Sequence, residues 1–69
     1  MKTIYKLFRV DKSRIGFLKF IFEAHDGLAV ITTLDPQDGL VRFAIAPGCM
    51  EDVHAVLADL KKDIAIHEL

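Results

Sequence analysis

Apolar residues recur with two different periods along this chain, and the order of those periods is the feature that most constrains the fold. Alternation with a period of two is typical of strands, whereas recurrence at three and four residues is typical of helices. The chain shows alternation, then helical spacing, then two alternating runs joined by a turn, then helical spacing, and finally a short alternating run. We therefore predict the element order βαββαβ.

The first alternating run leads directly into a helix start. Apolar and aromatic side chains alternate in residues 3–10, and this pattern predicts strand β1 over that range. The charged segment that follows contains Asp11 and Ser13, and the side-chain oxygen of either residue can accept a hydrogen bond at the start of a helix. We therefore predict that a helix begins there and that helix α1 extends over residues 15–25.

The apolar stripe of α1 is unusually wide. Its residues at helical spacing are Ile15, Leu18, Ile21 and Phe22. Phe17, Phe20 and Ala24 lie outside that stripe, so the helix is apolar around more of its circumference than a normal surface helix. We therefore expect α1 to be unusually buried.

The middle of the chain contains a predicted hairpin. Asp26-Gly27 is a helix stop signal, because glycine readily adopts the left-handed conformation that ends many helices. Residues 28–34 are rich in β-branched side chains and predict strand β2, and residues 40–46 alternate and predict strand β3. Between them, residues 35–39 have the Asp, Pro and Gly content of a tight turn, so a hairpin should join the two strands.

The last third of the chain contains a second helix and a short strand. The apolar stripe of this helix consists of Met50, Val53, Leu57 and Leu60. Acidic residues at 51–52 and lysines at 61–62 lie where they favour the helix dipole, and together these features predict helix α2 between residues 50 and 62. Residues 64–67 alternate and predict strand β4.

The order βαββαβ is that of the split βαβ, or ferredoxin-like, arrangement in the α+β class. Right-handed crossovers then place both helices on one face of an antiparallel four-stranded sheet, which gives a two-layer sandwich. We find no linker, repeat or low-complexity segment in the sequence. A single domain is therefore expected over residues 1–69.

One face of the predicted sheet has no helix to cover it. If Val41, Phe43 and Ile45 point at the helices, Arg42 and Ala44 point to the open face. An apolar open face in a small domain favours pairing with a second copy or a larger partner, and we assign Arg42 and Ala44 to that interface. The alternative is a solvated sheet with scattered exposed apolar side chains.

The length of the chain also favours self-association. A domain this small buries only about 60% of the surface that its unfolded chain exposes, and disulfides, metals or oligomerisation usually stabilise such domains. Cys49 is the only cysteine, and with His25, His54 and His67 it shows no metal-ligand spacing. We therefore expect a homodimer with no bound metal and no cofactor.

The charge balance argues against two classes of partner. Nine basic and ten acidic residues give a formal net charge of -1, with no basic excess to bind phosphates or anionic lipids. The β3 segment also lacks the basic-glycine-aromatic pattern of RNA-recognition modules. We therefore expect neither a nucleic acid nor a membrane as partner. Residues 1–6 enter the alternation without an apolar signal region, so a cytoplasmic location is expected.

The first half of the chain resembles that of ACT domains. The segments that carry the resemblance are Arg-Val-Asp at 9–11, Ser-Arg-Ile-Gly-Phe-Leu at 13–18 and His-Asp-Gly-Leu at 25–28. In that family the loop between β1 and α1 carries an acidic residue, then Pro-Gly and a leucine, and it contacts ligands. Gly16 and Leu18 match this motif, whereas Ile15 replaces the proline and Ser13 the acidic residue. The chain is also similar to small uncharacterised bacterial ACT-like proteins.

The resemblance implies a βαββαβ module that dimerises and binds amino acids or other small effectors. The candidate ligand-binding residues are Asp11, Ser13, Arg14 and Gly16. Free N–H groups at a helix start can hold a carboxylate or phosphate, and a glycine lets a ligand approach the backbone closely. The alternative is an ordinary helix start. Cys49, near the start of α2, is either a reactive thiol or a small packed residue.

No spacing of acidic residues, histidines or the cysteine indicates catalysis, so we expect no catalytic residues and no enzymatic activity. The function expected from the sequence is that of an ACT-like dimerisation domain or of a domain that binds a small amino-acid-type effector. A protein–protein interaction module without a small ligand is the alternative. An enzyme subunit is a more distant one.

Overall fold

The computed structural model of the chain describes residues 2–25 and 27–69. Within these residues, four antiparallel strands form one sheet in the order β2-β3-β1-β4. The elements are β1 (Ile4–Val10), a short 3-10 helix (Lys12–Arg14), α1 (Ile15–Ala24), β2 (Ala29–Asp35), β3 (Leu40–Ile45), α2 (Met50–Leu60) and β4 (Ile66–Glu68). This order and sheet topology confirm the predicted α+β, ferredoxin-like fold.

The alternation in β3 places its side chains as predicted. Val41, Phe43 and Ile45 are buried on the face that packs against the helices, whereas Arg42 and Ala44 are half-buried on the opposite face. Because successive residues of a strand point to opposite faces, this assignment also fixes the faces of the neighbouring strands.

Three aromatic rings join α1 to the centre of the sheet. The ring of Phe43 lies 4.7 Å from that of Phe8 on β1, and it meets the ring of Phe22 on α1 edge-on at 5.1 Å between centroids. All three side chains are almost completely buried, and burying one large apolar side chain contributes about 1.5–3 kcal/mol. Val53 and Leu57 bring α2 to the same core. Aromatic packing therefore sets the position of α1 on the sheet.

The ends of the elements differ from the predicted ones by a few residues. Helix α1 ends at Ala24, and Gly27 has the predicted left-handed conformation, with φ 76°, whereas Asp26 of the predicted stop lies outside the described residues. Strand β4 begins at Ile66 instead of residue 64. The reason is that the N–H of Ile64 still donates to the carbonyl of Leu60, which continues the turn that ends α2.

The expectation that α1 is unusually buried is wrong. Ile15, Leu18 and Phe22 are buried against the sheet, but the helix is covered on that side alone. Phe17 is 44% exposed and Phe20 is 65% exposed, because the helical repeat turns these two side chains away from the sheet.

Both α-helices are short. Neither helix in the described part of the chain has the length and apolar character needed to cross a membrane.

Candidate functional site

The carboxylate of Asp11 organises the loop between β1 and α1. Its Oδ1 accepts hydrogen bonds from the backbone N–H of Ser13 at 3.0 Å and from Ser13 Oγ at 2.7 Å. Asp11 thereby caps the short 3-10 helix and not α1, whose N-cap position is Arg14 without a side-chain cap. The N–H of Asp11 donates to the carbonyl of Ala65 at 3.0 Å, so the loop is tied to the segment that enters β4.

The same contacts stabilise the ionised form of Asp11. The hydrogen bonds from the Ser13 hydroxyl and backbone lower the pKa of Asp11 below its ordinary value, and the positive charge of Arg14 acts in the same direction. Partial desolvation opposes this shift without reversing it. Asp11 is therefore negatively charged at neutral pH, beside the positive charges of Lys12 and Arg14.

The structure brings together some of the predicted ligand-binding residues. Asp11 and Ser13 are in direct contact, and Arg14 is close enough to act on the Asp11 charge. Gly16 lies in the first turn of α1, where a Cβ atom would have no neighbour within 4 Å. A larger side chain would therefore fit at this position, so lack of space does not explain the glycine.

A groove of about 320 Å³ lies beside this loop. Its walls are formed by Arg9, Val10, Asp11, Lys12, Gln37, Asp38, Ala65 and His67. Of the four residues predicted from the sequence, Asp11 lines the groove, but Ser13, Arg14 and Gly16 do not. Sequence analysis missed the walls from the hairpin and from the end of the chain because these segments meet the loop only in the folded domain. No local pattern in the sequence indicates that these segments lie beside the loop.

Polar contacts within the hairpin fix one wall of the groove. Asp35 Oδ1 accepts hydrogen bonds from the N–H groups of Gln37 and Asp38 at 3.0 and 3.2 Å. Arg9 then holds Asp38 from the neighbouring strand, with Nε and Nη2 donating to Asp38 Oδ2 at 3.1 and 2.8 Å. Both side chains are half exposed, so this ion pair contributes at most about 1 kcal/mol. Its main effect is to position the hairpin against β1.

Charged groups of both signs line the groove. Arg9 is paired with Asp38, whereas Lys12 and His67 are exposed and make no side-chain hydrogen bond within residues 2–25 and 27–69. Asp11 supplies a carboxylate at the same groove. Side chains of both charges at one groove are suited to binding a charged ligand.

The open face of the sheet is the second candidate surface, and both residues assigned to it lie there. Arg42 lies between Leu7 on β1 and Thr32 on β2, and Ala44 is the next residue on the same face of β3. Exposed apolar side chains beside them are Tyr5, Leu7 and Val30. The face therefore presents apolar side chains, together with the exposed Thr32, around a central arginine.

The side chain of Arg42 is only partly satisfied. Its guanidinium carbon lies 5.1 Å from the centre of the Tyr5 ring, in the range of a cation–π contact. Its Nε is buried and has no hydrogen-bond partner. Leaving a buried donor unpaired costs about 1–3 kcal/mol, so the surroundings of Arg42 differ from those of an ordinary surface arginine.

The two remaining candidates from the sequence are the thiol of Cys49 and a metal site. Cys49 is half-buried, has a free thiol and packs against the hydrophobic core, which favours the packed alternative. In the part of the chain that the structure describes, no three histidine, cysteine or acidic side chains are grouped so that they could hold a metal ion.

Comparison with known proteins assigns the chain to a family. The model of a family described as "Domain of unknown function (DUF4911)" matches residues 8–64, from the second half of β1 to the buried Ile64. No curated protein and no solved structure matches the chain. Since the matched residues include both helices and most of the sheet, the chain belongs to the DUF4911 family.

Proposed function

We propose that this chain is a non-enzymatic, ACT-like assembly domain that forms a homodimer through the open face of its sheet. The observation that carries the proposal is the buried, unpaired Nε of Arg42 at the centre of that face. Arg42 is half-buried between Leu7 and Thr32 and beside Ala44, so its charge is partly desolvated on this face, and acceptors on a partner would stabilise the guanidinium.

The dimensions of the open face support the same proposal. Strands are about 4.8 Å apart and rise about 3.3 Å per residue, so the face of this sheet is roughly 20 Å on each side. That surface supplies a large part of the roughly 800 Å² that each partner buries in a standard interface. The exposed rings and branched side chains of Tyr5, Leu7 and Val30 are of the kind that such interfaces bury.

Sedimentation equilibrium on the wild type and on Arg42→Glu tests this proposal. We expect a wild-type mass above 7.8 kDa at micromolar concentration, and a dimer dissociation constant at least about tenfold higher for Arg42→Glu. Lys61→Glu is the matched control, because it makes the same charge change at an exposed position after α2. A wild type that sediments only near 7.8 kDa, or an Arg42→Glu dimer as tight as the wild type, contradicts the proposal.

A second candidate function is binding of a small amino-acid-type effector in the groove beside the β1–α1 loop. The volume of about 320 Å³ lies at the lower end of the range for small-molecule sites. A free amino acid carries both an ammonium and a carboxylate group. The carboxylate of Asp11 is complementary to the first, and the exposed Lys12 and His67 are complementary to the second.

A thermal-shift screen with the common amino acids tests the effector proposal. A ligand that binds only the native state must raise the melting temperature. We expect Lys12→Ala to abolish this rise, with Lys61→Ala as the control that removes an equivalent charge far from the groove. If no amino acid shifts the melting temperature or the amide NMR signals of the loop, the alternative of a protein interaction module without a small ligand is favoured.

A further inference from the structure

The outer edge of β2 carries backbone groups that point away from the sheet. Within the described residues, β2 lies at the end of the strand order and pairs with β3 alone. The N–H of Ala46 donates to the carbonyl of Leu28 at 3.0 Å, and from this position hydrogen-bonded pairs between the two strands recur at every second residue. The N–H and C=O groups of Ala29, Ile31 and Thr33 therefore point to the outer edge.

This edge lacks the features that usually prevent strand pairing. Natural edge strands are often protected by a proline, a lysine or a bulge. Residues 29–35 contain no proline and no lysine, and the irregularity in the pairing with β3 lies at the end of the strand, between Thr33 and Asp35. Seven residues give the edge a length of about 23 Å. The edge is therefore a template for a further extended strand.

Two opposite charges lie beside the edge, on the flank of α1. Lys19 and Glu23 are one helical turn apart, and they line a depression of about 280 Å³ together with Ala29, Val30 and Ile31. The charges are thus level with residues 29–31 of the strand. Lys19 is half-buried and Glu23 is exposed, and neither forms an ion pair within residues 2–25 and 27–69. A partner at this edge meets one positive and one negative charge.

We infer that the outer edge of β2 pairs with the same edge of a second copy of the chain, antiparallel about a two-fold axis through Ile31. In such a pair, residues at equal distances from the axis face each other. Ile31 then pairs with the partner's Ile31, and Ala29 with the partner's Thr33. Each of these pairs exchanges two hydrogen bonds, so every outward-facing group named above is satisfied. The sheet continues from one copy into the other.

The same axis pairs the charges of the helix flanks. Antiparallel β2 strands bring the two α1 helices side by side and antiparallel on one layer. An axis level with residue 21 of α1 places Lys19 beside the partner's Glu23, and Glu23 beside the partner's Lys19. Because Lys19, Glu23 and Ile31 line one depression, a single axis serves both the strand edges and the helix flanks. A strand alone would satisfy the backbone groups, whereas a second copy also pairs the charges.

The contact involves both layers of the domain. The domain measures 20 Å along its shortest axis, so the side formed by β2 and α1 is comparable in size to the open face of the sheet. It adds backbone hydrogen bonds, whose geometry fixes the register. Edge pairing leaves the open face of each copy uncovered, so this contact is distinct from the one in the proposed function.

Amide hydrogen exchange, followed by NMR at increasing protein concentration, tests the strand pairing. The amides of Ile31 and Thr33 should exchange at least about tenfold more slowly at high concentration, because they are bonded only in the pair. The amides of Val30 and Thr32 are the internal controls, since they are bonded to β3 and protected at every concentration. An Ile31 amide that exchanges at one rate at all concentrations overturns the inference.

Charge reversal tests the antiparallel orientation, in an Arg42→Glu background that isolates the edge contact from the open face. Lys19→Glu or Glu23→Lys alone should raise the dissociation constant from sedimentation equilibrium about tenfold, because like charges then face each other, and the double variant should restore it. Lys61→Glu is the control, since it makes the same charge change at an exposed position after α2. A double variant that stays weak overturns the antiparallel arrangement.

The outcomes separate this inference from the proposed function. An Arg42→Glu variant that associates as tightly as the wild type, with a protected Ile31 amide, supports the edge contact and contradicts the open-face dimer. An Arg42→Glu variant that is monomeric, beside a dimeric wild type whose Ile31 amide is never protected, does the reverse. A wild type that is monomeric at every concentration overturns both.

Discussion

Gly39, at the end of the β2–β3 hairpin, lies directly against the backbone of Val10. The N–H of Val10 donates to the carbonyl of Gly39 at 2.8 Å, which extends the pairing of β1 with β3 by one residue. Gly39 has φ 70°, and a Cβ atom at this position would collide with the carbonyl oxygen of Val10. The close approach is thus one reason why the hairpin can form a wall of the candidate groove.

Gly39→Ala should therefore be strongly destabilising. It adds a collision with Val10 to the backbone strain of about 1–3 kcal/mol for a left-handed residue. Gly48→Ala is the matched control, because Gly48 has φ 81° but no atom within 4 Å of its would-be Cβ. We expect a larger drop in the urea midpoint for Gly39→Ala. Equal losses for the two variants would show that the contact with Val10 can relax.

Leu57→Ala should lower the free energy of unfolding by about 2–5 kcal/mol, since it leaves a cavity beside a side chain that is only 3% exposed. Leu60→Ala, one turn along α2 at a partly buried position, should cost less. Urea denaturation measures both values. An unchanged midpoint for Leu57→Ala would mean that a different face of α2 packs on the sheet.

Gly16→Ala should stabilise the domain by about 0.4–1 kcal/mol, because alanine restricts the unfolded chain and meets no atom in the folded one. If the β1–α1 loop binds a ligand through close backbone approach, the same variant should lose the ligand-induced rise in melting temperature. Thermal denaturation with and without the amino acids of the screen measures both effects. A destabilised variant without ligand would contradict the open space around Gly16.

The ionised form of Asp11 should contribute to stability at neutral pH. Folding lowers the pKa of Asp11, so this contribution is fully present above the pKa that Asp11 has in the unfolded chain. It is lost as the pH falls through the lower pKa that Asp11 has in the folded domain. Ser13→Ala removes the hydroxyl that donates to Asp11, so the pKa of Asp11 should rise towards its ordinary value. Side-chain carbon NMR titration measures the pKa in both proteins. Identical values would assign the shift to the backbone N–H and to Arg14.

The sequence by itself determined the element order and the faces of the strands. Both depend on spacing along the chain, because a period of two or of about 3.6 residues is a local geometric property of strands and helices. Arg42 and Ala44 were therefore placed on the open face correctly, next to the buried Phe43. The chemistry of Asp11 and Ser13 was also local, since their contacts span two residues.

Only the tertiary structure decided which of these features meet and which remain exposed. The groove combines Asp11 with Asp38 and His67, which are distant in sequence and are joined by strand pairing. Phe20 is exposed because α1 is covered on the side of the sheet alone. A pattern within one helix does not indicate how many other elements pack against that helix. The desolvation of Arg42 Nε likewise depends on the strands beside it. Burial is a property of the packed domain, whereas periodicity is a property of the chain.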